Sequence, residues 1–96
     1  MDYRMYKPTS PIPANTNVVT LIKQELKSFG ITSRTPLRFI AFEADAGTTF
    51  TLNDANNKME VPSTGNFITP FDGERGVQIY NLTFDSAFEG NIYYIP

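Results

Sequence analysis

Short apolar runs recur along the second half of the chain, and a turn signal follows each of them. The runs are rich in β-branched and aromatic residues and are separated by Gly, Asn and Asp; they read LRFIAFEA, TTFTLN, MEV, NFIT, VQIYNLTF and NIYYIP. A stack of short antiparallel strands needs this spacing, because each strand presents one face to a core before the chain turns back. The pattern predicts a mainly β protein, a small antiparallel β-sandwich of the jelly-roll or Ig-like type.

The length of the chain limits it to one such unit. With 96 residues, among them eight Phe and five Tyr, the chain has enough large apolar side chains for one core and too few for two. We therefore assign residues 16–96 to a single β-sandwich domain. Since there is no cysteine, the fold depends on packing or on association with other chains for its stability.

Residues 1–15 have a different composition and are predicted to form an extended arm without regular structure. Three prolines, Pro8, Pro11 and Pro13, each fix φ and remove a backbone donor. The arm also contains more apolar side chains than a flexible spacer usually does, namely Tyr3, Met5, Tyr6 and Ile12. Two interpretations remain open: the arm folds back over its own domain, or it docks on a neighbouring subunit.

Residues 17–29 allow two secondary structures. Apolar residues recur at helical spacing, Thr16 or Asn17 is suited to cap the start, and Gly30 is suited to end the helix. The run from Val18 to Ile22 is also a good strand sequence. Periodicity favours one short amphipathic helix over the strand.

Strand positions can be predicted further along the chain. Residues 37–44 have apolar side chains on both faces, which is typical of a central strand. Residues 77–84 are expected to place Val77 and Ile79 on one face, and Tyr80, Leu82 and Phe84 on the other. The last strand, residues 91–96, ends in a proline, which is compatible with a sheet edge.

The residue types leave little means for catalysis. Without His and Cys, nucleophilic triads, thiol chemistry and transition-metal sites are not expected. Two carboxylate pairs, Glu43 with Asp45 and Asp72 with Glu74, lie beside turn residues, where acids commonly bond their own backbone. We expect a protein that is not an enzyme and has no cofactor or metal.

Charge and hydropathy also limit the partners. The net charge is −2 and the basic residues are scattered, so we expect no nucleic-acid partner. No apolar run has the length of a membrane span or a signal peptide. The chain is therefore expected to be made in the cytoplasm, not secreted, with no membrane partner.

The segment LRFIAFEADAGTTFTLND, followed by VPSTGNF, VQIYNLTF and NIYYIP, resembles small virion structural proteins of tailed bacteriophages. These are proteins of the capsid-decoration, head-fibre or minor structural type, and the resemblance covers residues 37–96. It implies a non-enzymatic structural protein in a virion, made in the host cytoplasm. The implied partners are further copies of the chain, as a homo-oligomer, or a major capsid or tail protein, reached through the arm and a sheet edge.

Tyrosines give an alternative, a carbohydrate-binding or adhesion module with a glycan as ligand. Tyr80, Tyr93 and Tyr94 are residues of the type that stacks on sugar faces. Since neighbours in a strand face opposite sides, one of Tyr93 and Tyr94 belongs to the core and the other is available to a partner. The predicted partner-binding residues are Tyr3, Met5, Tyr6, Ile12 and Tyr94.

Overall fold

Two antiparallel sheets and one helix make up the fold, as the mainly β prediction requires. The computed structural model describes residues 4–31, 37–54, 56, 58–70 and 78–96. In these ranges the elements are β1 (Arg4–Tyr6), α1 (Val18–Ser28), β2 (Phe39–Glu43), β3 (Thr49–Leu52), β4 (Lys58–Glu60), β5 (Asn66–Ile68), β6 (Leu82–Phe84) and β7 (Ile92–Ile95). The strand orders are β1-β7-β2-β5 in a four-stranded sheet and β4-β3-β6 in a three-stranded sheet. The chain thus has the two-layer architecture of a small β-sandwich.

A cluster of phenylalanines joins the two sheets. Phe42 of β2 lies edge-to-face against Phe50 of β3, with ring centroids 5.3 Å apart, and against Phe84 of β6 at 5.0 Å. Phe84 stacks on Phe88 at 4.3 Å. Edge-to-face and offset-stacked rings are the favoured arrangements of aromatic pairs. Because each ring buries a large area, these few side chains fill much of the thin core between the sheets.

The N-terminal arm contains regular structure, which corrects the prediction for residues 1–15. Residues 4–6 form β1, which pairs with β7 so that Met5 lies opposite Tyr93. Further along, the backbones of Ile12 and Phe88 exchange two hydrogen bonds of 2.8 and 2.9 Å. The prolines begin only at Pro8, so the amides of residues 4–6 are free to join a ladder. The described part of the arm therefore lies against its own domain.

Of the two secondary structures considered for residues 17–29, helix and strand, the chain forms the helix. The side chain of Asn17 accepts a hydrogen bond from the Val19 N–H and caps α1. Val18, Ile22 and Leu26 repeat every four residues, and this apolar stripe is buried in the core. Helical periodicity outweighs the strand propensity of the Val-Val run, because as a helix this segment packs all its apolar side chains of one face against the core.

Strand β2 lies inside its sheet, between β7 and β5, which confirms the prediction of a central strand at 37–44. The final strand is not an edge, although its terminal proline is compatible with one, since β1 pairs with the far side of β7. Pro96 follows the last residue of β7, so its missing N–H does not interrupt the ladder.

The predicted alternation over residues 77–84 is wrong. Val77 lies outside the described residues, while Ile79, Leu82 and Phe84 are all buried and Tyr80 is exposed. The register changes where the Asn53 side-chain oxygen accepts hydrogen bonds from the Tyr80 and Asn81 N–H groups. Residues 79 and 82 thereby both reach the core, although a regular strand would place them on opposite faces.

Candidate interaction surface

The outer face of the three-stranded sheet is polar. Thr51 of β3 lies between Lys58 of β4 and Thr83 of β6, and these directly opposed side chains share one face. Thr49 and Glu60 form the next pair on that face. This is the ordinary outer surface of a half-buried antiparallel sheet, which is solvated on one side.

The four-stranded sheet instead has apolar side chains on its outer face. The register aligns Met5 with Tyr93, Tyr93 with Ala41, and Ala41 with Ile68, which places one residue from each strand in a single line. Met5, Tyr93 and Ile68 are 45%, 44% and 64% exposed. We call Met5, Tyr93, Ala41 and Ile68 the apolar row. It crosses the whole width of the sheet and leads from one edge to the other.

Strand β5 is held so that Ile68 must point outward. The turn before it ends at Gly65, where φ is 77° and an added Cβ would lie 3.3 Å from the Ala44 carbonyl oxygen. Phe67 packs inward against Phe50, with centroids 4.8 Å apart. Because side chains alternate along a strand, Asn66 and Ile68 face the opposite side.

Two of the four outer strands, β4 and β6, are protected against pairing with another chain. β4 has Lys58 and Glu60 at its ends, whereas the positive charges of Arg4 and Lys7 at β1 leave that edge open to a partner of opposite charge. The edge of β6 is covered by residues 15–17, since the Asn15 N–H donates to the Phe84 carbonyl at 2.9 Å and the Leu82 N–H donates to the Asn17 side chain at 3.2 Å. Charges and coverage are common ways to block a sheet edge.

Among the described residues, the edge of β5 has neither kind of protection. Its three residues, Asn66–Ile68, are uncharged, and Ile68 is the most exposed member of the apolar row. Within the described part of the chain, β5 pairs with β2 alone. An uncharged edge with an exposed aliphatic residue is a template for adding a further strand.

Of the predicted partner-binding residues, some are exposed and others belong to the core. Tyr3 lies outside the described residues. Met5 is exposed in the apolar row, and Tyr6 is half-buried against the core. Ile12 and Tyr94 are only 3% and 1% exposed and belong to the core of their own subunit, so neither is available to a partner and their assignment is corrected. The outward residue of the tyrosine pair is Tyr93.

Two members of the apolar row, Ala41 and Ile68, were not singled out by the sequence. In sequence each is one apolar residue inside a short strand. Only the order of the strands places them beside Met5 and Tyr93. The available signal was the absence of a charged or proline residue inside the segment 66–68, which distinguishes this edge from β1 and β4.

Titratable groups near the sheets have shifted pKa values with identifiable causes. Burial, and secondarily the charge of Glu25, raise the pKa of the Tyr94 hydroxyl; the same two causes raise the pKa of Tyr6. The hydrogen bond from the Thr49 hydroxyl and then that from Lys58 lower the pKa of Asp85. Asp85 links Thr49 of β3 to Lys58 of β4, and none of these titratable groups lies in the apolar row.

An open depression of 840 Å³ lies at the end of β2 and contains the pair Glu43 and Asp45 together with Glu89. All three carboxylates are exposed. In the described ranges no three His, Cys, Asp or Glu residues lie close enough to hold a metal ion. The second predicted pair, Asp72 and Glu74, is outside the described residues. The depression lies on the surface between loops, and none of the polar side chains that line it is buried.

Other exposed aromatic residues lie apart from the row. Phe29 follows α1 and Tyr80 precedes β6 of the other sheet, whereas Tyr93 is on β7. They belong to different elements and do not form one line of stacked rings. Among the described residues no helix has the length and apolar content needed to cross a membrane.

Comparisons of this chain with protein-family models, with curated proteins and with solved structures find no match.

Proposed function

We propose that this chain is a non-enzymatic structural protein that docks in a larger protein assembly through its four-stranded sheet. The observation that carries the proposal is the apolar row, which ends at the open edge of β5. A soluble sheet normally presents polar residues on its solvated face, as the three-stranded sheet of this chain does. Exposed apolar residues in a continuous line are typical of a surface that another protein covers.

The N-terminal arm contributes to this surface as a strand. By pairing with β7, it places Met5 at one end of the apolar row. Its docking role is therefore that of the β1 edge, with Arg4 and Lys7 beside it. Assembly through sheet edges supplies backbone hydrogen bonds for affinity, and the side chains on one face supply specificity.

The finer proposal is that the assembly is a virion and that the chain decorates or completes its capsid or tail. The sequence resemblance to small virion structural proteins of tailed bacteriophages supports this proposal. The composition also supports a structural role, since His and Cys are absent and the three acidic residues of the depression are exposed.

The test is the size of the species that contains this chain in extracts of the cells that produce it naturally. Ile68→Lys places a charge at the open edge, and Phe29→Lys is its matched control, because Phe29 is 65% exposed but lies outside the sheet. We expect the wild-type chain and the Phe29→Lys variant to elute in a species far larger than one chain. The Ile68→Lys variant should elute as a monomer.

Two results would overturn the proposal. One is a wild-type chain that elutes as a monomer from the native extract. The other is an Ile68→Lys variant that stays in the large species as fully as the Phe29→Lys control does.

A further inference from the structure

The two outer strands of the four-stranded sheet run in opposite directions. Each neighbouring pair in the order β1-β7-β2-β5 is antiparallel, and the number of strands is even. β1 and β5 are therefore antiparallel to each other. When a second copy is placed beside the first in the same orientation, its β1 lies antiparallel to β5 of the first copy. This is the relation that every other pair in the sheet has.

The backbone groups of both edges point in the direction that such pairing needs. The Thr69 N–H donates to the Ile40 carbonyl at 3.0 Å, and the Ala44 N–H donates to the Gly65 carbonyl at 2.9 Å. Residues 65 and 69 therefore direct their backbone toward β2, and alternate residues, Ile68 included, direct theirs outward.

The same alternation can be followed across the sheet to the other edge. Because Ile40 faces β5, its neighbours in β2 bond to β7, so Ile92 and Tyr94 of β7 bond to β1. Arg4 and Tyr6 are their partners in β1. The backbone N–H and C=O of Met5 are therefore left pointing out of the sheet.

Side-chain faces also agree at the two edges. Met5 and Ile68 both belong to the outer face, because each is aligned with the apolar row through Tyr93 and Ala41. When Met5 of one copy lies opposite Ile68 of the next, these two residues form a hydrogen-bonded pair with their side chains on that face. The apolar row then continues from one copy into the next without interruption.

This register also brings opposite charges together. Counting from the pair of positions 5 and 68, Lys7 lies opposite Asn66, and Asn66 is itself aligned with Glu43 on the same face. Lys7 and Glu43 are then two strand spacings apart, about 10 Å between backbones, a gap that a lysine and a glutamate side chain can close from opposite sides. Both residues are exposed in one copy alone.

Symmetric pairings of like edges fit less well. A β5–β5 pair with Ile68 opposite its own copy places Pro70 opposite Asn66 at both ends of the pair, so two N–H donors are missing, whereas the β1–β5 pair meets Pro70 at one end only, beyond Arg4. A pair centred on Phe67 places Ile68 opposite Asn66 and ends the apolar row. A β1–β1 pair centred on Met5 collects four positive charges, Arg4 and Lys7 of both copies, along one short edge, and β1 itself contains no acidic residue to offset them.

We propose that the partner at these edges is a second copy of this chain, joined head to tail by β1 of one copy and β5 of the next, with Met5 opposite Ile68. The proposal rests on the proposed function and names its partner. A head-to-tail contact uses two different surfaces of each copy, so it generates a ring if the rotation closes and a filament if it does not.

A single contact of this kind is weak. An edge of three or four residues buries far less than the roughly 1,200 Å² at which stable interfaces begin. Each copy in a ring or filament makes two contacts, so association should increase steeply with protein concentration. The edge pairing would accordingly be populated in a concentrated preparation or in a particle, and sparse in dilute solution.

The experiment uses disulfide formation between single-cysteine variants, which is free of background because the natural chain has no cysteine. Met5→Cys and Ile68→Cys are purified separately, mixed at high concentration and oxidised, and dimers are read by non-reducing electrophoresis and mass spectrometry. Directly opposed residues in an antiparallel pair are about 5.5 Å apart between Cα atoms, within the range that a disulfide spans. Met5→Cys mixed with Phe29→Cys measures random collision.

We expect dimers that join position 5 to position 68 to form in excess over the collision control, and Ile68→Cys alone to form no such excess. Exchanging the charges one at a time, with Lys7→Glu or Glu43→Lys, should reduce oligomer size, and combining both changes should restore it.

Two results would overturn the head-to-tail pairing. One is a mixture that does not exceed the control while the native extract still shows a large species sensitive to Ile68→Lys; the partner is then a different protein and the proposed function stands. The other is Ile68→Cys alone forming dimers as fast as the mixture does, which would show a symmetric β5 contact.

Discussion

Asn17 joins the helix to the three-stranded sheet, and its substitution gives a sharp test of the fold. Its side-chain oxygen accepts hydrogen bonds from the Val19 N–H at 3.1 Å and from the Leu82 N–H at 3.2 Å. Its amide nitrogen donates to the Tyr80 carbonyl at 3.2 Å. One side chain thus caps α1, closes the edge of β6 and holds the segment before that strand.

The effect of Asn17→Ala is the sum of three losses. Removing a helix N-cap costs about 1 kcal/mol. Leaving the N–H of the buried residue Leu82 without its acceptor costs about 2 kcal/mol, and losing the hydrogen bond to the Tyr80 carbonyl costs about 1 kcal/mol. For a domain of this size, a total of about 4 kcal/mol lowers the melting temperature by roughly 16 to 32 °C, at about 4 to 8 °C per kcal/mol.

The measurement is thermal and urea unfolding followed by circular dichroism, with three comparison variants. Asn17→Asp keeps the oxygen acceptor for both N–H groups, so it should lose about 1 kcal/mol, the contribution of one hydrogen bond. Asn17→Ser keeps the cap but is too short for Leu82, so it should fall between the two. Gln24→Ala, on the exposed side of α1, should change the free energy of unfolding by less than about 0.5 kcal/mol.

The reasoning would be refuted if Asn17→Ala were no less stable than Gln24→Ala. It would equally fail if Asn17→Asp were as unstable as Asn17→Ala, because the shared oxygen acceptor would then have no part in the fold.

The remaining predictions concern pH. The pKa of Asp85 is held below its ordinary value of 3.8 by hydrogen bonds from Thr49 and Lys58, so its contribution to stability is present above that pH and is lost as the pH falls through the lowered pKa. Asp85→Asn should therefore be less stable at pH 7 and lose less stability on acidification in urea titrations; equal acid sensitivity would contradict this. The pKa of the buried Tyr94 is raised above 10.0, so the unfolded chain releases this proton first and stability falls as the pH rises above about 10. Tyr94→Phe should flatten that alkaline loss, and an unchanged loss would show that the hydroxyl is not responsible.

Much of the fold follows from local patterns in the sequence. The apolar alternation at 37–44 predicts the central strand β2, and the four-residue repeat of Val18, Ile22 and Leu26 favours the helix. These succeed because the core requires one apolar face from each element. The arm is different: its prolines predict irregular structure, but the three residues before them have free amides and join the sheet as β1.

The candidate surface was mostly beyond the reach of sequence reasoning. Met5 was predicted as a partner-binding residue and lies in the apolar row, whereas Ile12 and Tyr94 are in the core. The row depends on which strands are neighbours, and the pairing of β1 with β7 and of β2 with β5 joins residues far apart in the chain. Alternation places Tyr93 and Tyr94 on opposite faces but does not state which face is inside, because both strand faces carry apolar residues.

Amide hydrogen exchange of Ile68, measured against protein concentration, tests the role of the open sheet edge most directly. The control is the amide of Glu60 on β4: the Val61 N–H donates inward to the Thr48 carbonyl, so the preceding N–H points outward at a charged edge. If copies pair through β5, exchange at Ile68 slows as the concentration rises while exchange at Glu60 does not change. An Ile68 amide that exchanges at the same rate at every concentration would contradict pairing between copies at this edge.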